Sequence, residues 1–347
     1  MNDPALNTSL DTLGIFESIR QFPLQCRQVI HEVSQQNLPS QLSLVENIVV
    51  SGMGGSALGG RIIASLERQS LRVPIIISNE YHLPNFVDHK SLVIISSYSG
   101  NTEETVSSLA EARARGAQVI IIASGGKLAE LAQNEKIPAY IFTPDHNPCG
   151  QPRMGLGYAV LALITILSRC QLIQPISNLG QLPEYLTVKQ NDFSQLLSLA
   201  QKVQGKIPVL IASEHLKGAA HAVKNMLNEN SKNFSVLFDI PELNHHLMEG
   251  LSFPVKNSDN LFFLFITSSK YHPDVIKRYP LTQDVVGKQH IPYLEHHLEA
   301  PTRFFEVMQF LQEGAYLSYC LALLNGIDPG PIPWVDYFKD EVAKLKK

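Results

Sequence analysis

Short apolar runs rich in Val and Ile recur along the first half of the chain, separated by stretches whose apolar positions fall at helical spacing. The runs are NIVVSG (47–52), VPIIIS (73–78), SLVIIS (91–96), AQVIIIAS (117–124) and the weaker IPAYIF (137–142). Between them lie ALGGRIIASLER and NTEETVSSLAEARARG. A run that is apolar at every position is buried on both faces. Such strands, alternating with helices, predict a parallel sheet covered on both sides. Residues 143–154, TPDHNPCGQPRM, break the pattern with Pro and polar residues and read as a loop.

Gly155 to Cys170 reads as an apolar helix, and a polar helix through about 185–204 bridges to a second alternation. There KIPVLIAS (206–213), SVLFDI (235–240), NLFFLFIT (260–267) and HIPYLEHH (290–297) read as strands, and 215–233 as a helix. Residues 302–326 form a long apolar helix stopped by Gly326, and WVDYFKDEVAKLKK a last helix with basic residues in its final turn. The fold expected is α/β: two tandem, doubly wound halves with mainly parallel sheets. The divisions expected are a helical lead-in over 1–45, a first half over 46–175, a linker helix over 176–204 and a second half over 205–347.

Composition narrows the function. A length of 347 residues fits two domains at roughly 100–200 residues each. The formal net charge of -4, without a basic block, argues against a nucleic-acid partner. An anionic small molecule stays possible, because a local cradle of N–H groups binds phosphate on an acidic protein. Cys26, Cys149, Cys170 and Cys320 are scattered, which argues against a disulfide framework or a zinc site and for reduced thiols. No basic segment followed by an apolar one opens the chain, and no apolar run reaches about 18 residues. A cytoplasmic protein with no membrane partner is expected.

Two loops carry the candidate chemistry. Ser51-Gly-Met-Gly-Gly-Ser56-Ala-Leu-Gly-Gly60 follows the first strand and opens a helix. Glycines let backbone approach a ligand, and the helix start offers unpaired N–H groups and a positive dipole end. Alone, this loop also fits a dinucleotide site through Gly52, Gly54 and Ala57, with Glu80 as the ribose acid. The second loop, Ser96-Ser-Tyr-Ser-Gly-Asn-Thr-Glu-Glu-Thr105, follows the third strand and places the hydroxyls of Ser97, Ser99 and Thr102 at a strand end. Thr102 also resembles an N-cap. Hydroxyls on two separate loops suit a compact phosphate better than a pyrophosphate with a ribose.

At these residues the sequence resembles the sugar isomerase (SIS) domain family, and more closely the bifunctional phosphoglucose/phosphomannose isomerases. The matching pieces are SGMGGSALGG, SSYSGNTEET, the QPR at 151–153, NENSKN (228–233), PELNHH (241–246) and GIDP followed by Lys339. The resemblance implies two SIS halves, usually paired as a homodimer with sites near the subunit interface. It implies that Gly55, Ser56, Ser97, Ser99 and Thr102 hold the substrate phosphate. Arg153 would sit beside the reacting carbons and Glu229 would be the catalytic base. His245, donated across the dimer interface, and Lys339 would handle ring opening.

The implied chemistry is aldose–ketose isomerisation of glucose 6-phosphate to fructose 6-phosphate through a cis-enediol, with mannose 6-phosphate as a second substrate. One partly desolvated carboxylate can move the proton between C1 and C2, and a guanidinium stabilises the enediolate. A histidine near its ordinary pKa can open the ring. No cofactor is implied. A metal at His245, His246 and Glu249 is disfavoured, since adjacent helical histidines diverge and no third ligand motif is evident. One departure is noted: the family's Thr-Pro before the final lysine reads Ile332-Pro333 here, which puts mannose 6-phosphate turnover in question. Two other readings remain: a non-catalytic SIS module that senses a sugar phosphate, and a nicotinamide-dependent oxidoreductase.

Overall fold

The computed structural model describes residues 6–36, 42, 44–190 and 193–345. Helices α1 (Ile15–Arg20) and α2 (Phe22–Ser34) lead into β1 (Asn47–Ser51), α3 (Gly55–Leu66), β2 (Ile75–Ser78), β3 (Ser91–Ser97), α4 (Glu103–Ala114), β4 (Gln118–Ala123), α5 (Gly126–Glu135), β5 (Ala139–Ile141) and α6 (Leu156–Arg169). Then α7 (Leu182–Lys189) and α8 (Phe193–Val203) precede β6 (Ile207–Ala212), α9 (Lys217–Glu229), β7 (Val236–Asp239), α10 (Leu247–Gly250), α11 (Asn257–Asn260), β8 (Leu261–Ser268), α12 (Pro273–Ile276), α13 (Arg278–Lys288), β9 (Tyr293–Leu298), α14 (Arg303–Leu324) and α15 (Pro333–Leu345). Among the described residues, no helix is long and apolar enough to cross a membrane.

Every apolar run singled out in the sequence holds a strand, and all the pairings are parallel. The first sheet runs β2-β1-β3-β4-β5 and the second β7-β6-β8-β9. Both therefore share one winding order, whose direction reverses between β1 and β3 and between β6 and β8. In such sheets ligands bind outside the carboxyl ends of the strands at that reversal. β3 is buried at all its positions, as a central strand covered on two faces must be.

Two elements differ from the sequence reading. The bridging helix is two helices, α7 and α8, and the first begins at Leu182. The helix expected to reach 233 stops at Glu229, because Lys232 turns left-handed at φ 50° and the Ser231 hydroxyl bonds back to Leu227 O at 2.5 Å. Glu229 is therefore a helix-end residue at a sharp turn.

The halves meet through α3 and α9. A Cβ on Gly218 would lie 2.5 Å from Ile62 Cα, so only glycine allows the approach. Gly218 N also donates to Ser65 Oγ at 3.0 Å. α14, buried along nearly its whole length, packs on α9 and α8. It ends with Gly326 at φ 69°, where Gly326 N bonds Leu323 O and Ile327 N bonds Ala322 O. This paired C-terminal closure throws the chain into the 327–332 segment.

Beside the reversal point of the second sheet the protein buries a carboxylate of its own. Glu306, in the first turn of α14 and fully buried, accepts from Ser268 Oγ at 2.7 Å and pairs with His215 Nε2 at 2.7 Å. Lys270 Nζ lies 3.1 Å from its other oxygen. Burial pushes this carboxyl up, but the bonds from His215, Ser268 and Lys270 outweigh it and hold it below the ordinary range. An internal anion thus takes up the donors that His215, Ser268 and Lys270 would offer to a ligand. Glu306→Ala should destabilise the fold by about 3–5 kcal/mol, the range for removing one partner of a buried charge cluster, read as a lower urea midpoint. An unchanged midpoint would show that the cluster is not holding the second half together.

Candidate active site

At the reversal point of the first sheet two loops meet. The loop after β1 turns into α3 at Gly54, with φ 49°. Ser56, in the first turn of α3, accepts from Tyr98 N at 2.8 Å, so the two candidate loops are tied to each other. Ser96 Oγ donates to Ser56 O at 2.9 Å and repeats the tie. In the second loop Ser97 Oγ lies 2.9 Å from Thr102 Oγ1 and accepts from Gly100 N at 3.1 Å. Thr102 stands at the N-cap of α4, but its hydroxyl makes no capping bond. Ser99 is exposed, while Ser56 and Thr102 are half-buried. Serine and threonine hydroxyls thus cluster beside the start of a twelve-residue helix, an arrangement that favours an oxyanion.

The loop after β5 brings Arg153 to this cradle. A Cβ on Gly55 would lie 3.1 Å from Arg153 N, so the cradle and the arginine's backbone are in contact. The loop is braced by the N-terminal helices. Gln25 Nε2 donates to His146 O at 3.0 Å and to Met154 O at 2.9 Å, and Cys149 N donates to Ser18 Oγ at 3.0 Å. Asn147 Nδ2 donates to Tyr98 Oη at 2.8 Å, which links this loop to the second phosphate loop.

Arg153 is only 2% exposed, and its guanidinium is fully engaged. Nε donates to Asn230 Oδ1 at 2.5 Å. Nη1 donates to Gln151 Oε1 at 2.8 Å and reaches Glu229 Oε2 at 3.5 Å. Nη2 donates to Gly330 O at 2.7 Å and Pro329 O at 3.2 Å. The five N–H groups of an arginine meet acceptors from the QPR loop, the end of α9 and the segment after α14. Burial draws its pKa down while Glu229 draws it up; the group stays charged.

Glu229 is held at the junction, its side chain 31% exposed, open to a ligand yet partly dry. Burial raises its carboxyl above the ordinary range, opposed by Arg153, Lys339 and Lys232. Lys339, on α15, is exposed and lies near enough for its charge to act on Glu229. Sequence reasoning missed Gln151 and Lys232, and it expected Asn228 and Asn230 to orient Glu229, whereas Asn230 holds Arg153 and Asn228 accepts from Ser235. Asn230 and Gln151 fix Arg153, and Lys232 donates to Asp328 O at 2.7 Å and Asn230 O at 3.2 Å. Burial, and then Arg153, pulls the Lys232 pKa down to about 8. Gln151, Asn230 and Lys232 all lie inside the motifs QPR and NENSKN, so the signal was present.

His245 lies elsewhere. It sits in the turn after β7, exposed, at the carboxyl edge of the second sheet. α9 starts at that edge and runs back against the strands, so Glu229 emerges at the amino edge, roughly 20 Å along the helix. Within one chain the two side chains face opposite edges of the sheet. His246 pairs with Glu242 at 2.7 Å.

Residues 41–168 match the SIS domain family, and residues 194–342 match the family described as bacterial phospho-glucose isomerase C-terminal SIS domain. The chain is 29% identical to a bifunctional phosphoglucose/phosphomannose isomerase of Caldicellulosiruptor bescii, over 96% of this chain and 100% of that one. It is 30% identical to the protein of the same name from Aquifex aeolicus, over 89% of this chain and 94% of that one. Its fold matches the C-terminal domain of glucosamine-fructose-6-phosphate aminotransferase from Francisella tularensis with a TM-score of 0.73, at 15% identity, covering 91% of this chain and 98% of that chain.

Since Arg153 lowers the Glu229 pKa against the pull of burial, Arg153→Gln should move that carboxyl to a still higher pKa. Carboxyl carbon NMR of glutamate-labelled protein reads the shift directly. A Glu229 titration that stays put or moves down would separate the two groups electrostatically.

Proposed function

Because this chain belongs to the bifunctional phosphoglucose/phosphomannose isomerase family, we propose that its first-half cradle and the Arg153–Glu229 pair together isomerise hexose 6-phosphates. The reaction interconverts glucose 6-phosphate and fructose 6-phosphate. The observation that carries the site assignment is a partly desolvated carboxylate held by a buried guanidinium against the loop of a phosphate cradle.

The phosphate is bound by the α3 N-terminus at Gly55 and by Ser56, Ser97, Ser99 and Thr102, leaving the sugar's other end toward Glu229. Glu229 takes the proton from C2 of the open-chain aldose and returns it to C1, so one base serves both carbons of the cis-enediol. Its raised pKa brings it closer to the working pH, which strengthens it as a base. Arg153 lies where its charge favours the enediolate over the neutral sugar. Its donors are already engaged by protein acceptors, so it acts through its fixed field and through holding Glu229.

Ring opening needs a group that trades protons with O1 and O5. Lys339 is one candidate on the same side as Glu229. His245 is the other; the opposite placement of its loop supports its delivery by the partner subunit of a homodimer over delivery within one chain. All four cysteines are free and buried, which suits a reducing cytoplasm. Ile332 directly precedes α15 and offers no hydroxyl, so mannose 6-phosphate should turn over more slowly than glucose 6-phosphate.

Glu229→Gln should abolish turnover while sugar phosphate still binds, measured by coupled assay and calorimetry; near-normal turnover would remove Glu229 as the base. Mixing inactive Glu229→Gln and His245→Ala proteins should restore activity, because a mixed dimer holds one site with both residues intact. Random mixing predicts about a quarter of wild-type activity, since half the dimers are mixed and each has one working site. No recovery after subunit exchange would place His245 outside the site.

A further inference from the structure

Lys232 holds a backbone conformation that its residue type disfavours. The turn after α9 is left-handed there, at φ 50°, where a Cβ crowds the backbone and glycine or asparagine is the usual occupant. Strain of this kind collects at functional sites, and here the side chain shows what it serves. Lys232 Nζ donates to Asn230 O at 3.2 Å and to Asp328 O at 2.7 Å. The first carbonyl belongs to the end of α9, where a cation suits the helix dipole. The second belongs to segment 327–332, which joins α14 to α15. Arg153 grips the same two pieces of chain. Its Nε bonds the side chain of Asn230, and its Nη2 bonds the carbonyls of Pro329 and Gly330. Three successive carbonyls, 328 to 330, are therefore held by two cations. The Asp328 carboxylate adds bonds to Gly330 N at 2.8 Å and to the Thr12 hydroxyl. Where the segment ends, α15 begins, the helix of Lys339.

We infer that Lys232 is a positioning residue of the isomerisation: it pins segment 327–332 to the end of α9, which keeps the carbonyl acceptors of Arg153 in register and stands a second fixed positive charge beside Glu229. This deepens the reading in which Glu229 is the base, and it rests on that reading. Lys232 acts through Arg153 and Glu229 rather than on the sugar. The charged groups that face Glu229 are Arg153 from the QPR loop, Lys339 from α15 and Lys232 from the turn. Those that face Lys232 are Arg153, Asp328 and Glu229. All three cations favour the ionised carboxylate that burial opposes. Lys232 is exposed, so its charge is partly screened, and its two carbonyl bonds are what fix it at one point.

Two variants of the full chain test this. Lys232→Asn keeps a residue that tolerates the left-handed turn and removes the ammonium, whereas Lys232→Arg keeps the charge. In Lys232→Asn, kcat should fall about ten- to a hundredfold, the cost of slightly misplaced reacting groups, with little change in KM. Lys232 lowers the Glu229 pKa, so its removal should raise that pKa and carry the acid limb of the kcat/KM profile to higher pH. Lys232→Arg should return the limb to its wild-type place and recover most of kcat. A purely structural lysine would lower the urea midpoint and leave the acid limb where it was. Carboxyl carbon NMR reads the Glu229 titration without turnover and separates two failures. A Glu229 titration that moves up in Lys232→Asn while the acid limb stays put removes Glu229 as the base and leaves the hold of Lys232 on it standing. A Glu229 titration that stays at its wild-type place, or a Lys232→Asn protein with wild-type kcat, overturns the inference.

Discussion

A buried guanidinium gathers this molecule's chemistry to one point. Arg153 comes from the loop after the first sheet, yet its acceptors include the end of α9 and the carbonyls of residues 329 and 330. Taking an unpaired charge out of water is prohibitive, so the acceptors must all be present for the arginine to be where it is. That requirement fixes the two halves relative to each other. It also fixes Glu229, which without a nearby cation would be driven by burial toward its neutral form. Holding the carboxylate dry and charged at once is the electrostatic task of the site.

The two halves share a winding order but not a fate. Each has a crevice at its reversal point, with hydroxyls on the flanking loops. In the first, Ser56, Ser97, Ser99 and Thr102 bond to one another and to backbone. In the second, Glu306 reaches in from α14 and takes the bonds of His215 and Ser268. A glycine-rich turn has become Ser213-Glu-His-Leu-Lys217, and the position of an external anion is taken by an internal one. The second half then contributes from its opposite edge, where α9 ends.

Much of this was legible in the sequence, and what was not has a physical reason. The central strands announced themselves because a strand covered on both faces is buried along its length, as β3 is, whereas the edge strand β9, YLEHHL, alternates. The cradle showed because glycines and hydroxyls clustered at two strand ends. Arg153 and Glu229 were legible only through motif resemblance, and nothing in their spacing, 76 residues apart, says that they touch. The acceptors at Pro329 and Gly330 are backbone carbonyls, which any residue carries and no pattern reveals. The break between α7 and α8 was hidden because helical periodicity persists across two polar residues. The opposite placement of His245 needed the strand order, which no local pattern contains.

The most direct measurement is a crystal structure of the Glu229→Gln protein with fructose 6-phosphate bound. The phosphate should lie against Ser56, Ser97, Ser99 and Thr102, with C1 and C2 facing the side chain of residue 229 and the Arg153 contacts intact. A phosphate bound at the second sheet's crevice, or a sugar whose first two carbons point away from residue 229, would contradict the account.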